Sequence, residues 1–485
     1  MDHRWPKLQF TFSVHTVYIH ISLTCTVLYM RNNPTLEIMD KKFEGAHSLN
    51  KRSRIAENPI QSMASEINSD DFILVLGNVT WFRMYLSKDC NPPIQEVIEC
   101  GVVPRFVQLL SGQVNAPPDV QDKIVLQAAW ALTNIAAGEH NHALCVVESG
   151  SIPIFVNLLE HPNADIREQS IWALGNIAGD SPQLRDSVLE HNVMGRLLAI
   201  VQKEIESPSA SLSIMRDSTW TLSNLCRGMP APDWKYISPA VPILRRLLYF
   251  TDTKTLSDAA WAVSYISDGP SMYVSEIIKA GFVGLLVALL ADKNDFVQRP
   301  CLHALGNIVT GSDEHTQVVV ESGALVQFRH LLRSPHKSIQ KECCWVISNI
   351  AAGTHAQVQA VIEANLIPAV ISLLHSDDQK TRNEAAWAIC NATCHNDRVP
   401  QQVKYLVAQG CLKPLCDILS SQDSTIVQVI LDGIDNILSV GQAEARKGSP
   451  KNEYLIMLED IGAVHKSEYV CHKSKSIIEK YLGES

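Results

Sequence analysis

Charge is what this sequence is short of. Asp, Glu, Lys and Arg make up 19% of its 485 residues while 46% are hydrophobic, so there is apolar material for a large core. Neither a disordered chain nor a small disulfide scaffold fits that balance. Basic charge is scarcer still, with 41 Lys and Arg against 51 Asp and Glu for a net −10. That deficit argues against a nucleic-acid binder, which needs clustered cations for phosphate contacts, and suits a basic partner better. Paired cysteine spacing is missing: the 13 cysteines are odd in number and scattered, as in a chain kept reduced in cytosol or nucleus. Catalytic signatures are missing as well, since no G-x-x-x-x-G-K-[ST], G-x-S-x-G or H-E-x-x-H occurs. Cys390, Cys394 and His395 stand together, but four-residue Cys spacing with no second pair is a poor zinc half-site. An enzyme, a cofactor and a metal are therefore not expected.

Residues 8–30 lack Asp, Glu, Lys and Arg and are flanked by Arg4, Lys7 and Arg31. Their several Ser and Thr and two His are costly in hydrocarbon, so membrane insertion is not expected and residues 1–39 read as a divergent extension. Residues 40–70 are polar and carry Lys41-Lys42 and Lys51-Arg52-Ser53-Arg54, the pattern of a flexible linker with two basic clusters.

What is abundant is repetition. AAWALTNIAAG (128–138), SIWALGNIAGD (170–180), STWTLSNLCRG (218–228), AAWAVSYISDG (259–269), CLHALGNIVTG (301–311), CCWVISNIAAG (343–353) and AAWAICNATCH (385–395) are variants of one phrase. Its polar residue falls at Asn134, Asn176, Asn224, Tyr265, Asn307, Asn349 and Asn391, in steps of 42, 48, 41, 42, 42 and 42, with a degenerate copy at Asn436. Upstream recurs a Gly or Asn followed by an apolar run, as in ESGSIPIFVNLL (148–159) and EANLIPAVISLL (363–374). A residue that tolerates positive φ, then an apolar run with an early Pro, marks one helix ending and the next beginning. Each unit is helical with no strand signal, and units this short must stack into a solenoid to cover their apolar faces. The 48-residue step is assigned to a longer loop at Ser207–Ser211. About 9 or 10 units are expected over 71–485 as an all-α repeat domain with atypical ends.

Trp and Asn stand four apart, one helical turn, at Trp130/Asn134, Trp172/Asn176, Trp220/Asn224, Trp345/Asn349 and Trp387/Asn391, while Trp261 pairs with Tyr265 and His303 with Asn307. Trp as core and Asn as a cap is the plain reading of any single pair. Five copies beside an Ala/Leu/Ile face that already supplies a core place them on a second face. Stacked, the amides form a ladder that can pair with extended backbone, about three residues per ~10 Å layer. The indoles form slots for the aliphatic stems of Lys or Arg. Asp180, Asp258, Asp268 and Glu384 beside them favour cationic heads, so the expected ligand is an extended basic peptide.

The phrases WALGNIAGD, TWTLSNLCRG, GNIVTG, CWVISNIAAG and EAAWAI, with PPIQEVIECGVVPRFVQLL, strongly resemble importin-α, from about residue 90 onward. The resemblance implies a right-handed armadillo superhelix and a nuclear import adaptor shuttling between cytoplasm and nucleus. It also implies nuclear-localisation-signal cargo, importin-β, an export receptor and nucleoporins as partners. Carried over by motif, the major site comprises Trp130, Asn134, Gly138, Gln169, Trp172, Asn176, Asp180, Trp220, Asn224 and Arg227, with Asp180 accepting the key lysine. Asp258, Trp261 and Tyr265 form the region between sites, and His303, Asn307, Thr310, Trp345, Asn349, Glu384, Trp387 and Asn391 the minor site. His303 stands where the family usually has Arg, which weakens a salt-bridging position. Ala143 replaces a Thr, losing a hydroxyl contact worth about 1 kcal/mol.

The front end departs further: nothing in residues 1–70 reproduces the family's long basic importin-β-binding helix. Residues 40–57 are expected to compete weakly for the peptide site, as a tethered segment can. Asp432, Asp435 and Glu459-Asp460 resemble the family's export-receptor region. The rival readings are an armadillo scaffold of the adhesion or signalling kind, whose groove is basic rather than acidic, and an import-incompetent paralogue that binds basic peptides without importin-β.

Overall fold

The computed structural model describes residues 59–88, 91–394, 400–446 and 452–462, with the short stretches 476–477 and 480–481. The extension, both basic clusters and His395 lie outside the described residues. Two compact units are present, one ending at Leu247 and the other beginning at Leu248. Among the described residues every regular element is helical, and most follow one pattern of two short helices and a long one. Examples are His140–Glu148, Ser151–Leu158 and Ala164–Asp180 in the first unit, and His355–Glu363, Ile367–Leu373 and Gln379–Asn391 in the second.

The elbow between the short helices is where the sequence puts its Gly or Asn. Gly101, Gly150, Asn192, Gly281, Gly323, Asn365 and Gly410 all take positive φ, between 55° and 85°. Five residues beyond each stands an apolar side chain with no solvent exposure: Phe106, Phe155, Leu197, Leu286, Phe328, Val370 and Leu415. The elbow thus aims one large side chain per repeat into the core, and burying each contributes about 1.5–3 kcal/mol. The elbows also bend the two apolar helix pairs Ser271–Lys279 with Phe282–Leu289 and His355–Glu363 with Ile367–Leu373, by 80° and 85°. Among the described residues no single helix is long and apolar enough to cross a membrane.

Side-chain caps fix where the long helices begin. Asn163, Ser211, Asp252, Asn294 and Asp378 each accept a hydrogen bond from a backbone N–H in the first turn of the helix that follows. The 48-residue step is not a longer loop. Helix Val193–Glu206 has 14 residues where Ser151–Leu158 has 8, and that difference accounts for the six extra residues. Good helix formers in LLAIVQKEIE carry the helix on until Ser207 and Pro208 end it.

Among the described residues Arg185 is the largest fully buried side chain. Its guanidinium donates to the carbonyls of Arg227 at 2.6 Å, Gly228 at 3.2 Å and Pro230 at 2.9 Å, and pairs with Asp186 at 2.8 Å. The loop leaving helix Leu212–Cys226 is tied to the preceding repeat through this one side chain.

Candidate functional site

Four of the phrase asparagines share one geometry. In the first unit Asn176 Nδ2 donates to the Thr133 carbonyl at 3.2 Å and Asn224 Nδ2 to the Gly175 carbonyl at 3.0 Å. In the second, Asn307 Nδ2 donates to Ser264 O at 2.9 Å and Asn391 Nδ2 to Ser348 O at 3.0 Å. Each acceptor is the residue just before the polar residue of the preceding phrase. Asn134 and Asn436 take side-chain acceptors instead, Ser87 Oγ at 3.1 Å and Thr393 Oγ1 at 3.2 Å. These six amides therefore each spend one hydrogen on a neighbour, which the plain reading of a lone pair requires. An amide still has a second hydrogen and an oxygen to offer. Asn391 Oδ1 is buried with no hydrogen-bond partner among the described residues.

At two of the phrases the same position is glycine because an indole lies over it. A Cβ on Gly175 would stand 2.4 Å from Trp220, and one on Gly306 would stand 2.0 Å from Trp345. Thr133, Ser223, Ser264, Ser348 and Cys390 are the other occupants of that position in the seven phrases. Gly306→Ala is expected to push the Trp345 ring out of its seat and weaken peptide binding in this unit severalfold, read as a shift in tryptophan emission together with a peptide titration. Unchanged emission and affinity would show that the seat does not set the ring.

Around the first-unit ladder, Gln169 Nε2 donates to Thr133 Oγ1 at 2.7 Å. A Cβ on Gly138 would run into His142 and Ile94, so the residue is glycine to admit the His142 capping contact with the Glu139 N–H. Asp180, at the end of helix Ala164–Asp180, lies 2.6 Å from His140 Nδ1. Arg227 presents its carbonyl to Arg185. Ala143 is fully buried. Arg83 stacks its guanidinium 4.5 Å from the Trp130 ring centre and donates to Gln127 Oε1 at 2.9 Å, so one indole face is already taken by a cation of the chain itself.

In the second unit Trp261 and Tyr265 stack with ring centres 5.7 Å apart. The His303 ring lies 5.8 Å from Trp261 and 5.5 Å from Trp345, stacked on the latter. This slot is filled by the chain's own imidazole, a physical reason for the break in the Trp/Asn pattern here. His303 has a carboxylate partner, with Nδ1 3.3 Å from Glu342 Oε2. Lys341 holds the other Glu342 oxygen at 3.2 Å. Burial alone would raise Glu342, but His303 and Lys341 hold it down to about 2. Thr310 Oγ1 donates to the Asn307 carbonyl at 2.7 Å.

Two other carboxyls have no such support. Burial pushes Glu384 up to about 8 against the pull of Lys341, with Glu342 adding to the rise, and its Oε2 is buried without a hydrogen-bond partner among the described residues. Burial likewise pushes Asp258 up to about 7, only partly offset by Lys254, and its Oδ2 is similarly unpartnered. Asp268 is raised by burial, with His303 pulling the other way. Sequence reasoning picked out Asp258 and Glu384 but missed Asp217 and Glu342. The signal was present: Gln127, Gln169, Asp217, Asp258, Glu342 and Glu384 all precede the phrase tryptophan by three, a second ladder one turn before the first. Among the described residues no group of His, Cys, Asp and Glu is placed to hold a metal ion, and the cysteines there are free thiols.

Known proteins carry the same framework. The armadillo/β-catenin-like repeat model matches residues 90–137, 140–179, 237–268, 312–352, 354–394 and 400–439. An engineered protein of known crystal structure superposes with a TM-score of 0.75 at 24% identity, covering 88% of this chain and 98% of its own, a likeness of fold alone. Importin subunit alpha-1b of Oryza sativa subsp. japonica is 46% identical over 90% of this chain and 79% of its own length. Importin subunit alpha-B of Dictyostelium discoideum is 49% identical over 87% and 80%. This chain belongs to the importin-α family. Its armadillo repeats are those of a family of nuclear import adaptors, not enzymes. Importin subunit alpha-2 of Arabidopsis thaliana, 47% identical over 87% of this chain and 77% of its own, is a further importin-α relative.

Proposed function

We propose that the chain binds nuclear localisation signals, extended Lys- and Arg-rich peptides, and hands such cargo to importin-β for entry to the nucleus. Each unit has its own peptide site: Trp130, Trp172, Trp220 and their asparagines with Asp180 in one, and Trp345, Trp387 and their asparagines with Glu384 in the other. The observation that carries the reading is the pair of buried carboxyl oxygens on Asp258 and Glu384, each one helical turn before a phrase tryptophan and without a hydrogen-bond partner among the described residues. A buried acid left in that state favours a cation that lets it ionise. A Lys or Arg whose stem lies on the neighbouring indole supplies one.

The test is a fluorescence titration of the full chain with a peptide carrying a Lys-Lys-Arg-Lys core, at two salt concentrations. Micromolar or tighter affinity, about −8 kcal/mol, weakened by salt, supports the reading. Absence of binding sends the search to non-transport armadillo partners. The importin-β link is tested by capture of importin-β on the full chain and on residues 71–485. Capture by the full chain alone puts the contact in residues 1–70, and capture by neither favours the import-incompetent paralogue. Shuttling, the export receptor and nucleoporins rest on the family. In the acidic C-terminal stretch, Asp435 is paired with Lys480 at 2.7 Å.

A pH dependence follows from Glu384. The free carboxyl titrates at about 8, and a bound cation favours its ionised form, so binding releases a proton below that pH. Affinity at this site is expected to rise with pH by up to about tenfold per unit between 6.5 and 8, and Glu384→Gln to flatten the slope. A slope that persists in Glu384→Gln assigns the proton to another group.

A further inference from the structure

The carboxylate assigned to the key cargo lysine already has an occupant. Asp180 closes a 17-residue helix, where unpaired carbonyls and the helix dipole add negative potential to its own charge. That end calls for a cation. His140, the first residue of helix His140–Glu148 in the same repeat, brings Nδ1 to 2.6 Å from Asp180 Oδ2. The two side chains differ in access: Asp180 is 13% exposed and His140 56%. The imidazole therefore lies on the solvent side of a mostly covered carboxylate and is free to turn away into water.

We propose that His140 is a resident gate on the Asp180 pocket, taking the carboxylate in the free chain and swinging out when a cargo lysine arrives. The proposal rests on the peptide-receptor reading above and names the regulation of that same site. An imidazole offers a single hydrogen through Nδ1, whereas an ammonium offers three on a flexible stem, so lysine displaces histidine at a modest cost. The gate raises the threshold for cargo: sequences that put a full lysine at this step displace it, and weaker or displaced clusters do not.

The experiment titrates the same fluorescent peptide into the full chain as wild type, His140→Ala, His140→Lys, Asp180→Asn and the His140→Ala/Asp180→Asn double variant. Opening the gate with His140→Ala is expected to tighten binding about two- to fivefold, the range for displacing an exposed ion pair. A tethered ammonium in His140→Lys is expected to weaken it by at least as much. In the Asp180→Asn background the His140→Ala gain should vanish, and imidazole nitrogen signals of His140 should move when peptide is added to wild type. Unchanged or weaker binding by His140→Ala, a gain that survives in Asp180→Asn, or a silent His140 signal in a chain that binds peptide each overturns the gate alone. Peptide bound by none of the forms overturns the receptor reading and the gate with it.

Discussion

Replacing Arg185 with alanine is expected to lower the melting temperature of the full chain's least stable transition by roughly 6–20 °C. The guanidinium is wholly buried and donates to the carbonyls of Arg227, Gly228 and Pro230 while pairing with Asp186. Removing it leaves part-buried acceptors without their donor and, above all, a cavity the size of a long side chain, and the two together cost about 3–5 kcal/mol. At about 2–4 °C per kcal/mol for a unit of this size, that gives the stated range. Arg185→Lys is expected to fall between wild type and alanine, because one ammonium cannot span a fork of three carbonyls as a planar guanidinium does. Calorimetry of the three forms decides it, and an alanine variant melting within about 2 °C of wild type would show that the loop holds itself. The loss should also reach function, since the loop begins directly after the helix that carries Trp220 and Asn224.

Most of the frame was legible in the sequence because a solenoid writes each structural requirement several times over. The positive-φ elbows at Gly150, Gly281 and Asn365 follow from residues that tolerate such a backbone. The longer step failed as a loop because ESPSAS looks like one. The extra residues went into helix Val193–Glu206, whose LLAIVQKEIE stretch is as good a helix as any nearby. Only the last turn before Pro208 carries the breaker signal.

The site was legible at the level of positions and illegible at the level of partners. Periodicity locates Trp, Asn and the acid one turn before, but it says nothing of which side chain from another helix fills the space between them. His140 on Asp180 and His303 between Trp261 and Trp345 each depend on residues about 40 positions apart, and histidine is not a repeated letter in either place. The amides were also read one-sidedly. Their first obligation is to the preceding helix at Thr133, Gly175, Ser264 and Ser348, and the proposed peptide would meet only what remains. This double duty makes the ladder rigid, which favours a ligand that brings its own extended backbone over one that must reshape the site.

Reversing the charge at Asp180 should have the largest effect on cargo. In Asp180→Lys the pocket's carboxylate becomes an ammonium, so the incoming lysine loses its partner and meets a like charge at the negative end of helix Ala164–Asp180. Losing one side of a desolvated charge pair typically costs about 2–5 kcal/mol, which predicts at least about thirtyfold weaker binding of a lysine-rich peptide to this unit. The variant also strips His140 of its acceptor, but that pair is largely exposed on the histidine side and its loss should leave the fold intact, checked by an unchanged melting temperature. Binding through Glu384 in the other unit is expected to persist in Asp180→Lys and to disappear with Glu384→Lys. The two are separated by titrating each single variant and the double variant. A single-variant loss that removes all binding would mean one site serves the whole chain. An Asp180→Lys variant that binds as wild type does would mean that lysine is read elsewhere, and that the buried carboxyls of Asp258 and Glu384, not Asp180, carry recognition.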